Sequence, residues 1–480
     1  MKLPYEPKSV LDIRRSPPSP VIGYSPDFNS FDYNNTLLLS SEEEFPVELE
    51  NEHTMITLFE NGDSDSLMRE LGLYDDYYKS SCPLDLPELP PFFPSDFQTL
   101  NQYSNQNLFD LITQHDDVNE FDFTDDLILL AECFETQSFQ LAQVILARLN
   151  QRLRSPTGKP IQRVAFYFKE ALQSLLTGST RRFNTCTSYE IVQVIKAYKT
   201  FSTVSPIPMF SSFTANQAIL DATDVAMNVH VIDFDIGLGG QWSSFLKTVA
   251  EKAEARKVNP PAVRITAVVP EEYEPESRLI RDNLHQFATD LKLRFEIEFV
   301  SIRVFEYLMF KSIRLINGEK TAVVLSPNIF RRIGSDFVTD LRRVSPEITV
   351  CVDAELNGFG ATTVFRQTVI DGLRLYTTVL ESLEAVNVGG GDWMRSIEMF
   401  VLLPKIMETV EYGGRCVTPW REALVRAGMK AVGMSQFVEI QAECLVRRLQ
   451  VRGFHVVKQQ AEMVLCWHDR PLVATSAWTC

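Results

Sequence analysis

Residues 229–242 read Val229-His230-Val231-Ile232-Asp233-Phe234-Asp235-Ile236-Gly237-Leu238-Gly239-Gly240-Gln241-Trp242. A short, continuously apolar run ends in acids, passes through a glycine-rich turn and opens into a helical pattern. Apolar runs of this kind are strands buried on both faces, which is the condition of a parallel sheet covered by helices. Glycines after the first strand of such a sheet let the backbone turn tightly and approach a ligand at the helix N-terminus.

Working outward, further apolar runs lie at Val263–Val269, Phe295–Val300, Thr321–Leu325 and Ile348–Val352, with helical patterns at 241–256, 277–292, 328–343 and 362–386 between them. Helices near 393–411 and 435–448 follow, and short strands at 453–457, 463–467 and 472–477 close the chain. Alternating β and α units with an antiparallel ending predict an α/β fold with a Rossmann-like, methyltransferase-type sheet. Upstream, Leu127, Leu130, Phe134, Leu141 and Ile145 fall on the apolar faces of two amphipathic helices. Helices at 161–176, 188–201 and 214–227 extend these into an N-terminal α-helical cap.

Charge divides the chain. Residues 1–126 carry 26 acids and 6 bases, a balance of −20, while 127–480 carry 37 acids and 40 bases, or +3. Residues 1–118 also hold 12 of the 25 prolines. Such a stretch cannot bury enough apolar surface to offset its ordering entropy, so an acidic disordered arm is expected there. Phe and Leu alternate with acids in 108–123, a composition shared by docking segments and by plain solvated tails. An arm of −20 repels phosphate, which argues against strong non-specific nucleic-acid binding. The eight cysteines form no CxxC pair, so no structural zinc is expected and reduced thiols are. Neither a signal-peptide h-region nor an apolar run approaching 18 residues is visible, so a soluble intracellular protein is expected, without membrane contact. Basic pairs such as Arg181-Arg182 and Arg331-Arg332 are not a localisation run.

Two readings of the glycine turn stay open. In the first, Asp235, Gly237 and Gly239 hold S-adenosylmethionine, and Glu271 or Glu272, just past the second strand, holds its ribose. In the second, the turn only joins strand to helix and no cofactor is bound. Six scattered histidines supply no catalytic constellation, and His230 inside the strand reads as a satisfied core histidine. No catalytic residue and no metal ligand is assigned.

The stretch Val229-His230-Val231-Ile232-Asp233 resembles the VHIID signature of the GRAS family of scarecrow-like plant regulators. The other regions of that family follow in order: a first leucine-rich region over 125–200, the VHIID region over 201–268, and a second leucine-rich region over 273–302, with Ile280, Leu284, Phe287 and Leu291 on one helix face. A PFYRE region over 312–411 has Pro346, Phe365 and Tyr376, and a SAW region over 412–480 has Trp420, Arg421, Glu422, Trp467, Ser476, Ala477 and Trp478. Stretches 213–222, 326–333 and 450–478 are similar to the branch that includes the hairy meristem regulators. Asn357-Gly358-Phe359 stands where the family has a longer insert. The resemblance implies a GRAS domain over 119–480 acting without catalysis in the nucleus. Its implied partners are transcription factors and corepressors, met through the leucine-rich faces, with homo- or hetero-dimers of family members and indirect promoter recruitment also implied. The alternatives are an S-adenosylmethionine-binding methyltransferase-like protein and a sequence-specific DNA-binding factor.

Overall fold

The computed structural model describes residues 122–178, 188–354, 364–386, 392–413, 418–448 and 451–480. The arm expected over 1–118, the pair Arg181-Arg182 and Asn357-Gly358-Phe359 lie outside the described residues.

Among the described residues five helices lead: α1 (Asp122–Glu135), α2 (Phe139–Arg152), α3 (Pro160–Thr177), α4 (Ser188–Val204) and α5 (Pro206–Ala222). The βα units follow as β1 (Asn228–Asp233), α6 (Gly240–Arg256), β2 (Ala262–Val269), α7 (Glu274–Asp290), β3 (Phe295–Ser301), α8 (Ile302–Leu308), β4 (Lys320–Leu325), α9 (Pro327–Ile333), α10 (Phe337–Val344) and β5 (Ile348–Asp353). Next come α11 (Phe365–Glu384), α12 (Asp392–Ile397), a π turn at Glu398–Leu402, α13 (Leu403–Gly413) and α14 (Trp420–Arg426). The chain ends with β6 (Lys430–Val432), α15 (Gln436–Arg448), β7 (Phe454–Gln459), β8 (Glu462–Trp467) and β9 (Arg470–Thr479).

The nine strands of the described residues form one sheet in the order β3-β2-β1-β4-β5-β9-β8-β7, with β6 also paired to β9. The first five are parallel, and β9 enters antiparallel to β5, with Thr349 opposite Trp478 and Asp353 opposite Ala474. This is the methyltransferase-type order expected from the sequence. The period of two is visible in the packing. Val229 and Val231 of β1 enter one core with α5, α6, α7 and α15, whereas Ile232 and Phe234 enter another under α8, α9, α10 and α14. Both faces of β1 are therefore dry, and that is why its sequence does not alternate.

Three expectations shift. The helix expected at 214–227 runs from Pro206 to Ala222, because Ser205 accepts a hydrogen bond from the Ile207 N–H at 3.3 Å and Pro206 occupies the first helical position. That helix packs on the sheet and is not part of the cap. The helix expected at 328–343 is broken at Gly334, whose φ of 81° ends α9. The cap is not purely N-terminal either, since α11, the π turn and α13 share one apolar core with α1, α2 and α3.

Candidate functional site

The acids and glycines after β1 lie at the carboxyl ends of the parallel strands, where α/β sheets bind ligands. Asp233 is buried and fully engaged. One carboxylate oxygen accepts the Asp235 N–H at 2.8 Å, and the other accepts the indole N–H of Trp242 at 2.7 Å. Burial pushes its carboxyl up to about 7, against the pull of those two donors and with a further push from the charge of Asp235. Gly239, at φ 79°, lies under α7, and a Cβ there would come within 2.9 Å of Ile280 Cγ2. Gly237, at φ 51°, faces open space. Its carbonyl accepts a short hydrogen bond from the hydroxyl of Tyr273, which stands in a single 3-10 turn after β2.

Glu271, the expected ribose holder, does not reach this loop. Its carboxylate meets Arg303 at 3.0 Å and accepts the Ser301 hydroxyl at 3.4 Å. Ser301 ends β3 and Arg303 follows it, on the side of β2 away from β1. So Asp235, Gly237 and Gly239 share the loop as expected, Glu271 is turned away from it, and Tyr273 crosses the gap instead. A dinucleotide-style ligand runs its ribose between these two loops. Here that path is spanned by a phenol on a backbone carbonyl, and Glu271, the ribose candidate whose side chain is described, is held by Arg303. Sequence reasoning missed Tyr273; a lone tyrosine after Pro270 carries no spacing signal.

His230 is a core residue. One ring nitrogen pairs with the Thr266 hydroxyl at 2.9 Å, and the other accepts from Arg264 at 3.0 Å. Arg264 in turn bonds Glu319 and the Arg314 carbonyl. Burial, helped by the Arg264 charge, lowers His230 to about 4, so the ring is neutral. Among the described residues no group of three His, Cys, Asp or Glu side chains could hold a metal.

At the far end of the same sheet edge the motif residues of the C-terminal region converge. Trp420 donates its indole N–H to Asp353 at 3.2 Å and meets the ring of Trp478 edge-on at 6.1 Å. Arg421 lies 4.2 Å over the Trp420 ring and forks onto Glu462 at 2.8 and 3.1 Å. Ser476 accepts the Trp478 indole N–H at 3.0 Å. Trp467 stands apart against Phe454, and Glu422 faces outward onto Arg426. The cluster clamps α14 to β5 and β9, a structural role. The three PFYRE residues are not brought together. Pro346 precedes β5, while Phe365 and Tyr376 face the cap core from α11.

Burial also corrects the interaction candidates. Leu127, Leu130 and Ile145 are in the cap core, and Ile280 and Leu284 of α7 are in the core against the sheet, all essentially inaccessible. Phe287 and Leu291 are half-buried against the same core. A partner cannot reach the five buried side chains while the fold is intact. Leu141 is exposed and Phe134 half-buried. Phe134 joins Phe139, Leu175, Leu176, Val364 and Phe365 in lining a groove of about 860 Å³. The cap also holds a polar cluster that sequence reasoning did not find: Glu398, buried in the π turn, accepts the Tyr167 hydroxyl at 2.7 Å and pairs with Arg163 at 3.0 Å.

Sheet order and cap define a methyltransferase-type α/β scaffold that carries a helical cap. The profile of the GRAS domain family matches residues 123–479. The chain is 47% identical over 470 residues to Scarecrow-like protein 15 of Arabidopsis thaliana, covering 89% of this chain and 94% of that protein. It is 38% identical over 367 residues to Scarecrow-like protein 6 of the same plant, covering 74% and 63%. The crystal structure of SCL7 in Oryza sativa matches with a TM-score of 0.57 at 24% identity, over 74% of this chain and 99% of that one, and shows the same fold. The chain belongs to the GRAS domain family of plant transcriptional regulators.

Proposed function

We propose that this chain is a nuclear transcriptional co-regulator that works by binding transcription factors or corepressors, is drawn to promoters through them, and transfers no methyl group. The observation that supports this most is the Tyr273 hydroxyl on the Gly237 carbonyl, with Glu271 engaged by Arg303, in the one crevice where a methyl donor would lie. Family membership supports the regulatory part. No helix among the described residues is long and apolar enough to cross a membrane. The core balance of +3 over 127–480 supplies no basic field for tight duplex binding.

A reporter assay in plant cells separates the readings. With the chain tethered to a promoter, the transcriptional effect should survive Asp235→Ala, because Asp235 is exposed and its side chain leaves the Asp233 contacts in place. Loss of the effect with normal protein level would show that the glycine loop does chemistry or binds a cofactor, and the proposal would fail. A fluorescent fusion that stays out of the nucleus under those conditions would remove the localisation.

A further inference from the structure

The groove in the cap has an apolar floor and an electronegative rim. Phe134 meets Phe365 edge-on at 5.5 Å and Phe139 at 6.4 Å, and Phe139 and Val364 remain 49% and 40% exposed. Three helices end on it: α1 at Phe134 and Glu135, α3 at Leu175, Leu176 and Thr177, and α13 at Val410 and Glu411. Each C-terminus directs a partial negative charge toward its end. None of the three carries a basic residue in its last turn. The N-terminus of α11, the positive helix end among the described residues here, is already met by Glu135, which accepts the Arg366 N–H at 2.7 Å. Glu132 faces the Arg366 side chain at 3.8 Å, and the exposed carboxylate of Glu411 adds to the helix ends.

From this we infer that the groove is a docking site for an amphipathic helix of another protein, one that inserts Leu or Phe anchors and places Lys or Arg beside them. Apolar floors read helical anchors at i, i+3 and i+4, and rim charge selects among them. The sign of the rim rejects the chain's own acidic arm, whose balance over 1–126 is −20. The inference rests on the protein-binding reading above and assigns that reading a place and a partner chemistry.

The test titrates the full chain with two fluorescent synthetic helices sharing one Leu/Phe face, one flanked by Lys and the other by Glu at the same positions. The Lys helix should bind roughly tenfold or more tightly than the Glu helix. Phe139→Glu should weaken it by about tenfold, and Glu411→Lys should cut the preference roughly threefold. Both altered residues are exposed, so the variants keep the fold. Equal affinity for the two helices, or a preference unmoved by Glu411→Lys, overturns the inference. So does tighter binding after Arg181→Glu and Arg182→Glu, which would make the chain's own 179–187 stretch the occupant. A homodimer that Phe139→Glu dissolves would make a second copy the occupant, with the same consequence. None of these outcomes touches the co-regulator reading, which stands or falls on the Asp235→Ala reporter.

Discussion

Asp233 and His230 lie three residues apart on β1 and titrate in opposite senses. Asp233 is raised from its ordinary 3.8 to about 7, so its contribution to stability is complete below 3.8 and is lost as pH rises through about 7. His230 is lowered from 6.5 to about 4, so its contribution is present above 6.5 and is lost as pH falls through about 4. Between about 4 and 6.5 the two oppose each other, which flattens the wild-type curve. Removing one should expose the other. Asp233→Asn should make unfolding free energy rise with pH across that window, steeper than wild type by up to about 1.4 kcal/mol per pH unit. His230→Gln should make it fall. Urea titrations across the window check this, and parallel curves for all three proteins would refute it.

At the scale of elements, the β1–α6 turn and the α14 clamp separate tight packing from backbone geometry. Both Gly237 and Gly239 have positive φ, but only Gly239 is overlain by α7. Gly237→Ala should cost about 1 kcal/mol for the left-handed backbone alone, and Gly239→Ala roughly 2–3 kcal/mol once Ile280 must shift. Chemical denaturation gives the order, and equal costs would contradict the packing. Arg421→Lys keeps the charge but loses the fork on Glu462 and the stack on Trp420. It should destabilise by about 1–3 kcal/mol and broaden the near-UV signal of Trp420 and Trp478.

The same elements show how much the sequence carried. Strands buried on both faces were legible to within a residue at β1, β2 and β4, because continuous apolar runs bounded by turns have few other uses. The seven-residue helices α8 and α14 were not, since two turns are too short to establish a period. The glycines of the candidate site were legible from spacing, and so was His230 as a core residue. Tyr273 and the direction of Glu271 were not, because a side chain's partner across a sheet is set by topology and not by local pattern. The leucines of the amphipathic faces were found, but burial gave most of them to the core.

Across the whole molecule, segments far apart in sequence build the cap: helices before β1 meet helices after β5, closed by Tyr167 on Glu398, 231 residues away. The cap core also reaches the antiparallel end of the sheet through Trp467 and Leu472, so cap and sheet share a packed boundary. The proposed function leaves the crevice without a cofactor and puts binding on the exterior of the helices. Calorimetric titration of the purified full chain with S-adenosylmethionine is the most direct test. The account predicts no saturable heat up to a concentration of about 1 mM. Saturable binding with a Kd on the order of 10 μM, abolished by Gly237→Val, would contradict it.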